Sequence, residues 1–277
     1  MLHRPHWSYS AITQYLSCPL RYYFQRILRL PQATISSSLV FGSAVHSALA
    51  TYHHALKVGE DLHRKYIHLA LTSTWSDENQ QVPVQFKDGE TKEDLINQGI
   101  HLVDLYLDRE PPRGIVAVEQ EIICPVFNSR GEYLEAPLVA IADLITRDGE
   151  RVLVQEFKTA AKAYSEKDVA ASLQASCYVQ AVREMRGYHA SIEYTVFIKT
   201  KTPKIQTLTT SRTVEDLARL GDIIEQVDQA VQLGIFYPVE STMNCSTCPY
   251  RQPCREWGRE IPYADASSLR KADGSYS

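Results

Sequence analysis

The stretch Val139–Lys158, V-A-I-A-D-L-I-T-R-D-G-E-R-V-L-V-Q-E-F-K, decides the fold. Two apolar, β-branched runs flank Asp148-Gly149, and Asp-Gly between such runs is the strongest short-range signal for a tight hairpin. With those two residues as the loop, Arg147 pairs with Glu150 and Asp143 falls opposite Val154. Side chains alternate faces along a strand, so Asp143, Val154, Glu156 and Lys158 are predicted on one face. Asp143 and Glu156 are then diagonal neighbours, roughly 7–8 Å apart at the backbone. At that separation two carboxylates reach one divalent cation, with the Lys158 ammonium one step further along. A register slip of one residue moves Asp143 to the opposite face and removes the arrangement.

Two carboxylates and a lysine on one sheet face suit metal-dependent attack on a phosphodiester. Hard oxygen ligands hold Mg2+ or Mn2+, which keep several waters and also take a phosphate oxygen. The metal polarises the phosphate and lowers the pKa of a bound water. The lysine orients or helps deprotonate that water, or stabilises the extra negative charge of the transition state. The D-x12-E-x-K spacing also fits a salt bridge on an exposed hairpin, so the rest of the chain has to separate the two.

The 277 residues suffice for a sizeable core, and 44% hydrophobic with 22% charged residues is ordinary for a globular protein. A net charge of −4 argues against a general nucleic-acid coat but leaves room for a local basic groove. Candidates for such a groove are Arg21, Arg26, Arg29, Lys162, Lys167, Lys199, Lys201 and Lys204, each of which also reads as a solvated surface charge. No apolar run approaches the ~18–20 residues of a membrane span, and the start M-L-H-R-P-H-W-S-Y-S has no signal-peptide segment. The expectation is a cytoplasmic protein in a reducing compartment, where clustered cysteines bind metal more often than they form disulfides. No G-x4-G-K-[S/T] loop is present, so no ATP motor is recognisable.

Ser8 or Ser10 caps a first helix that Cys18-Pro19 interrupts, and R-Y-Y-F-Q-R-I-L-R-L continues as a second piece ending before Pro31. F-G-S-A-V-H-S-A-L-A-T-Y starts a well-patterned helix, and 59–77 and 91–110 read as two more, with a flexible loop over Ser76–Glu90. Val116–Phe127 alternates as a strand that Pro125 confines to an edge or a strand end. After the hairpin come a helix over Val169–Met185 ending at Gly187, strands at Ile192–Lys199 and Ile205–Thr210, and a helix from Val214 to Leu233 closed by Gly234. The order predicts an α/β or α+β domain over 1–262, with a helical region at 31–112, a core at 113–210 and a cysteine-rich segment at 240–256; the polar tail 263–277 is expected to be disordered.

Gln174 and Tyr178 lie four apart and share a helix face, which a crossover brings back onto the sheet beside the carboxylates. There they can bond the lysine or a nucleic-acid backbone, or simply form an amphipathic edge. His46 sits mid-helix among small residues, as an ordinary histidine or as a nitrogen ligand that suits manganese somewhat better than magnesium. Cys245, Cys248 and Cys254 form C-x2-C-x5-C and need a fourth ligand, for which Cys18, also followed by proline, is the natural candidate. Spacing alone does not separate zinc from iron–sulfur. Cys124 and Cys177 fall within predicted strand and helix and read as buried structural thiols.

S-Y-S-A-I-T-Q-Y-L-S-C-P-L-R-Y-Y-F, G-S-A-V-H, I-A-D, Q-E-F-K-T, Q-A-S-C-Y and C-x2-C-x5-C occur in one order, from about Ser8 to Arg255. In this the chain resembles the RecB-like branch of the PD-(D/E)XK nucleases. It is similar to the iron–sulfur subgroup that includes AddB nuclease domains and CRISPR-associated RecB-like exonucleases. The resemblance implies a restriction-endonuclease-like α/β core, a mixed β-sheet flanked by helices, with an N-terminal helical region and a cluster joining the N- and C-terminal segments. It further implies that His46, Asp143, Glu156 and the Phe157 carbonyl bind Mg2+ or Mn2+. Lys158 completes the catalytic set, with Gln174 and Tyr178 as the family's Q-x3-Y, and Cys18, Cys245, Cys248 and Cys254 as 4Fe-4S ligands. Glu119 or Glu121 matches an acidic residue on the preceding strand. Ala140 departs from the glycine that relatives commonly carry three residues before the aspartate.

What the resemblance implies is a metal-dependent deoxyribonuclease, an exonuclease on single-stranded DNA or DNA ends in repair, recombination or CRISPR adaptation. A helicase or a CRISPR or recombination partner would act in trans, and no membrane is involved. Two other readings stay open: a non-cutting DNA-binding or assembly subunit on the same fold, and a zinc-stapled interaction module.

Overall fold

The computed structural model describes residues 6–76, 82–186 and 190–258. In chain order these run β1 (Trp7–Ser8), α1 (Tyr9–Ser17), α2 (Pro19–Tyr22), a π-helical turn (Tyr23–Ile27), β2 (Ile35–Ser36), α3 (Ser37–Val58), α4 (Arg64–Ser73), β3 (Val84–Gln85) and α5 (Lys92–Leu107). There follow β4 (Ile115–Cys124), β5 (Leu138–Asp148), β6 (Arg151–Ala160), α6 (Glu166–Ala170), α7 (Leu173–Arg186), β7 (Ala190–Ile198), β8 (Lys204–Thr210), α8 (Val214–Gln232), α9 (Thr242–Cys245) and α10 (Arg251–Glu256).

β4, β5 and β6 form an antiparallel meander, β7 joins β6 in parallel through α6 and α7, and β8 closes the far edge antiparallel to β7. The decisive feature is the way β5 is shared. β4 runs along one of its edges from Leu138 to Thr146. The other edge is divided: β6 takes residues 144–148, and β1 takes Leu138 and Val139 in parallel. Between those two stretches β5 and β6 diverge, and the sheet forks at Asp143.

Helices cover both faces. On one side α3, α4 and α5 pack Phe41, Leu49, Leu71 and Tyr106 over Val118, Leu144, Phe157 and Phe197. On the other α1, α7 and α8 bury Ile12, Ala175, Val179 and Ile224 against Val152, Val154, Ile192 and Val196. The alternation of the sequence produces this two-sided sheet: Val152 and Val154 face α7 while Phe157 faces α3. Side-chain caps fix where the helices begin, with Ser8, Ser36 and Thr91 accepting from the third residue on, and capping boxes at Ser165/Asp168 and Thr213/Asp216. A small third cluster around Leu20, Phe24 and Tyr250 lies beside the cysteines.

The structure corrects several expectations. The hairpin loop is Gly149-Glu150, not Asp148-Gly149: Asp148 pairs with Arg151 and Ile145 with Val154. Gly149 takes φ 57° at the first central position, where a tight hairpin turn favours glycine, and Arg147 Nε donates to its carbonyl at 2.7 Å. The register thereby moves by two residues, which preserves the face of every side chain on β6. Asp143 is therefore level with Glu156 rather than diagonal to it, and at this level the two strands have parted. The helix expected over Val169–Met185 breaks into α6 and α7, because Arg212 from the far end of β8 inserts its guanidinium and donates to the Val169 and Ser172 carbonyls at 2.9 and 2.8 Å. The loop expected over Ser76–Glu90 contains β3, which pairs in parallel with β2; its residues 77–81, the helix end at Gly187 and the tail 263–277 lie outside the described residues.

α8 approaches the loop after β4 so closely that a Cβ on Gly221 would sit 2.0 Å from the Phe127 carbonyl oxygen. Backbone on both sides leaves little room for relief. Gly221→Ala is expected to destabilise the fold by about 1–3 kcal/mol, measured as a lower thermal midpoint; an unchanged midpoint would contradict this packing.

Candidate active site

The fork has a chemical consequence. The Phe157 amide, with no partner from β5's backbone, donates to Asp143 Oδ2 at 2.8 Å. The other carboxylate oxygen lies 3.2 Å from His46 Nδ1, and His46 Nε2 lies 2.9 Å from the Phe157 carbonyl oxygen. Asp143, His46 and the Phe157 peptide thus close a ring across the gap between α3, β5 and β6. Both imidazole nitrogens face acceptors, which favours the doubly protonated ring. Burial pulls the His46 pKa down, but the hydrogen bond and charge of Asp143, with Glu156 and Glu119 behind, push it up to about 9.

β4 bends at the same level. Glu119 lies between the pairs Val118–Leu144 and Gln120–Ala142, level with Asp143, and has φ 48°. A non-glycine residue in the left-handed region is strained by about 1–3 kcal/mol, and such strain collects at functional sites. The result is that ligand atoms of His46, Glu119 and Asp143 lie within 4.8 Å of one another. Partial burial and the charge of Asp143 raise the Glu119 pKa. Among the described residues this is the group of histidine, cysteine and carboxylate side chains close enough to share one ion.

Glu156 occupies the α7 side of the fork and is 3% exposed. Lys158 Nζ donates to its Oε1 at 2.6 Å, Gln174 Nε2 to the same oxygen at 2.7 Å, and the Tyr178 hydroxyl to Oε2 at 2.7 Å. Gln174 also donates to the Tyr178 oxygen at 3.0 Å, so the pair expected to share a helix face does so and grips the carboxylate. Burial opposes the charge on Lys158, but contact with Glu156 outweighs it and raises the lysine's pKa. Burial and Asp143 raise that of Glu156. Asp143 and Glu156 are therefore addressed from opposite helical layers, not from one flat face.

A family model for the PD-(D/E)XK nuclease superfamily matches residues 6–255, which include all of these side chains. The chain belongs to that superfamily. Among solved structures, a candidate exonuclease from Eubacterium rectale superposes with a TM-score of 0.56 at 13% identity, covering 98% of this chain and 94% of that one. At that identity the likeness speaks for the fold alone. The SSO0001 protein covers 86% of this chain and 94% of its own at 14% identity, with a TM-score of 0.39, too low to argue from. No curated protein matches the chain. Nucleases of this superfamily use divalent metals, and the oxygen-rich set of His46, Glu119, Asp143 and the Phe157 carbonyl fits a hard cation. No helix among the described residues is long and apolar enough to cross a membrane.

The remaining predicted residues gather at the other end of α1. The segment after α1 is tied to the C-terminal region by Leu20 N–H to the Tyr237 carbonyl (3.0 Å), Asn244 Nδ2 to the Ser17 carbonyl (2.9 Å) and Tyr250 OH to the Leu30 carbonyl (3.1 Å). This brings Cys18 beside the Cys245–Cys254 segment; Cys248 and Cys254 pack with it around Leu20 and Phe24. Burial raises the Cys254 thiol's pKa, with Cys18, Cys248 and Cys245 close enough to add to it. Cys124 and Cys177 are apart from this group and buried, and burial pushes Cys177 to about 12.

The sequence reading left one contributor undecided and missed another. Glu119 could not be chosen over Glu121, since nothing local announces its positive φ. His53 stacks on Phe157 with ring centroids 5.4 Å apart and meets the Tyr106 hydroxyl at 3.0 Å, supporting the residue whose peptide completes the site. Its signal was present: His46 and His53 are seven apart, two turns along one face of α3.

For His46 to ligate a cation it must give up a proton. In the metal-free protein that proton is held up to about pH 9, so metal binding and deprotonation are linked. Mn2+ affinity is expected to rise about ten-fold per pH unit between neutrality and pH 9, and His46→Asn to flatten that slope. Calorimetry in buffers of different ionisation enthalpy measures the released proton; a pH-independent affinity would contradict the assignment.

Proposed function

We propose that the protein is a metal-dependent deoxyribonuclease of the RecB-like branch, acting as an exonuclease on single-stranded DNA or DNA ends and stabilised by a 4Fe-4S cluster. The observation that carries this reading is the fork itself: His46, Glu119 and Asp143 converge within 4.8 Å on one side of the Phe157 peptide, and Lys158 sits against Glu156 on the other. His46, Asp143, the Phe157 carbonyl and a carboxylate from Glu119 or Glu156 would hold Mg2+ or Mn2+. Such an ion supplies a Lewis acid for the phosphate and an acidified water.

The protein's own groups account for the rest. Lys158, held charged by Glu156, is a cation and donor rather than a base. It neutralises the charge that grows on the phosphate and orients the attacking water. Gln174 and Tyr178 fix Glu156 so that Lys158 is aimed rather than free. Burial keeps the Tyr178 hydroxyl protonated, as its donor role requires. The exonuclease part of the reading draws on the name of the Eubacterium rectale protein and on the motif order.

Cys18, Cys245, Cys248 and Cys254 would hold the cluster. Zinc at the same four thiolates is the alternative. The cluster's role is structural, since its ligands span the two ends of the fold rather than the fork.

Anaerobically purified protein is expected to carry visible iron–sulfur absorbance and to degrade end-labelled DNA when Mn2+ or Mg2+ is added. Lys158→Ala should lower the rate by at least about a hundred-fold with little change in DNA binding. Coloured, folded protein that leaves DNA intact in either metal would overturn the reading.

A further inference from the structure

A cavity of about 750 Å³ opens on the α7 side of the fork, and Lys158 and Gln174 form its inner end. Three tyrosines line it, Tyr9 at the start of α1, Tyr164 from the loop after β6 and Tyr194 from β7, among small and apolar residues and the Asp168 carboxylate. Lys162 adds one cation toward the outside. We propose that this cavity is the subsite for the base of the nucleotide next to the cleaved bond, held unstacked from its neighbours and sandwiched by Tyr9 and Tyr164. The inference rests on the nuclease reading and deepens it.

Three observations carry the assignment. First, the cavity is continuous with Lys158, so a nucleotide whose phosphate reaches that ammonium has its base within the tyrosine walls. Second, the composition favours a base over a further phosphate. Three tyrosines line the cavity against one cation beyond Lys158, and stacking on aromatic rings is how unpaired nucleotides are held without sequence preference. Third, the walls are built rather than incidental. The Tyr164 backbone is clamped on both sides by one side chain: Gln206 Oε1 accepts its N–H at 2.9 Å and Gln206 Nε2 donates to its carbonyl at 2.9 Å. The Tyr194 hydroxyl is fixed 2.8 Å from Ser172 Oγ, and Arg212 holds the Ser172 carbonyl. Gln174 Oε1, in a side chain 6% exposed at the inner end, has no hydrogen-bond partner among the described residues.

The test uses the full protein and single-stranded oligonucleotides with one abasic position walked along the strand. Cleavage in Mn2+ and metal-free binding by fluorescence anisotropy are read separately. Wild type is expected to lose about ten-fold in kcat/KM when the abasic position lies beside the cut bond, and the same step in affinity for a base-bearing tetranucleotide over its abasic counterpart. Tyr164→Leu should erase both differences. Ala163→Trp, on the exposed rim, should erase them by filling the cavity, and serves where the tyrosine variant does not fold. Equal abasic penalties in wild type and Ala163→Trp, or none at any position, would overturn the subsite even if cleavage is intact. Binding that follows the expected pattern in a protein that cuts nothing would overturn hydrolysis and keep the subsite.

Discussion

The site depends on one hydrogen bond, from the Phe157 amide to the Asp143 carboxylate across the point where β5 and β6 part. In an unbroken antiparallel pair that amide would face a backbone carbonyl, and both neighbouring side chains would lie on the surface of a continuous sheet. Here a side chain takes the carbonyl's place. The cost of breaking the ladder is offset by a charge-assisted bond, which is stronger than the neutral one it replaces. The gap that results exposes a peptide carbonyl next to a carboxylate, an arrangement a flat sheet does not offer. α3 supplies His46 to one side of the gap, and α7 supplies Gln174 and Tyr178 to the other.

Much of this was legible in the sequence for a simple reason: strand periodicity is two, and the error in the hairpin was also two. The Asp148-Gly149 turn was misplaced by one position, which shifted the pairing by two residues and left Glu156 and Lys158 on their predicted face. Ser8, one of two cap candidates, and the closing Gly234 marked helix ends because their hydrogen bonds are local. What the sequence did not disclose is tertiary. β1 is two residues long, yet by occupying Leu138 and Val139 it takes the edge that β6 would otherwise follow. Arg212, forty residues downstream of Ser172, breaks a helix that periodicity alone would continue. The left-handed backbone of Glu119, level with Asp143, has no local signal in the sequence. Ala140 is buried on β5 and pairs with Ile122 in the regular ladder to β4.

The cysteine end and the fork are parts of one construction. α1 begins at Tyr9, whose ring lines the cavity beside Lys158, and ends at Cys18, which faces the C-terminal cysteines. Between them Ile12 and Tyr15 are buried in the sheet-side core, and the Tyr15 hydroxyl donates to the Ile235 carbonyl at 2.8 Å. A short rigid helix therefore connects whatever the cysteines hold to one wall of the cavity.

The central claim is that the opened peptide at Phe157 is a metal ligand. Anomalous diffraction from crystals soaked in Mn2+ addresses it directly. The account expects a manganese peak bonded to His46, to Asp143 and to the Phe157 carbonyl oxygen, with His46 turned from its present acceptors to the ion. A peak elsewhere on the surface, or none at the fork while the His46–Asp143 contact persists in saturating Mn2+, would contradict it.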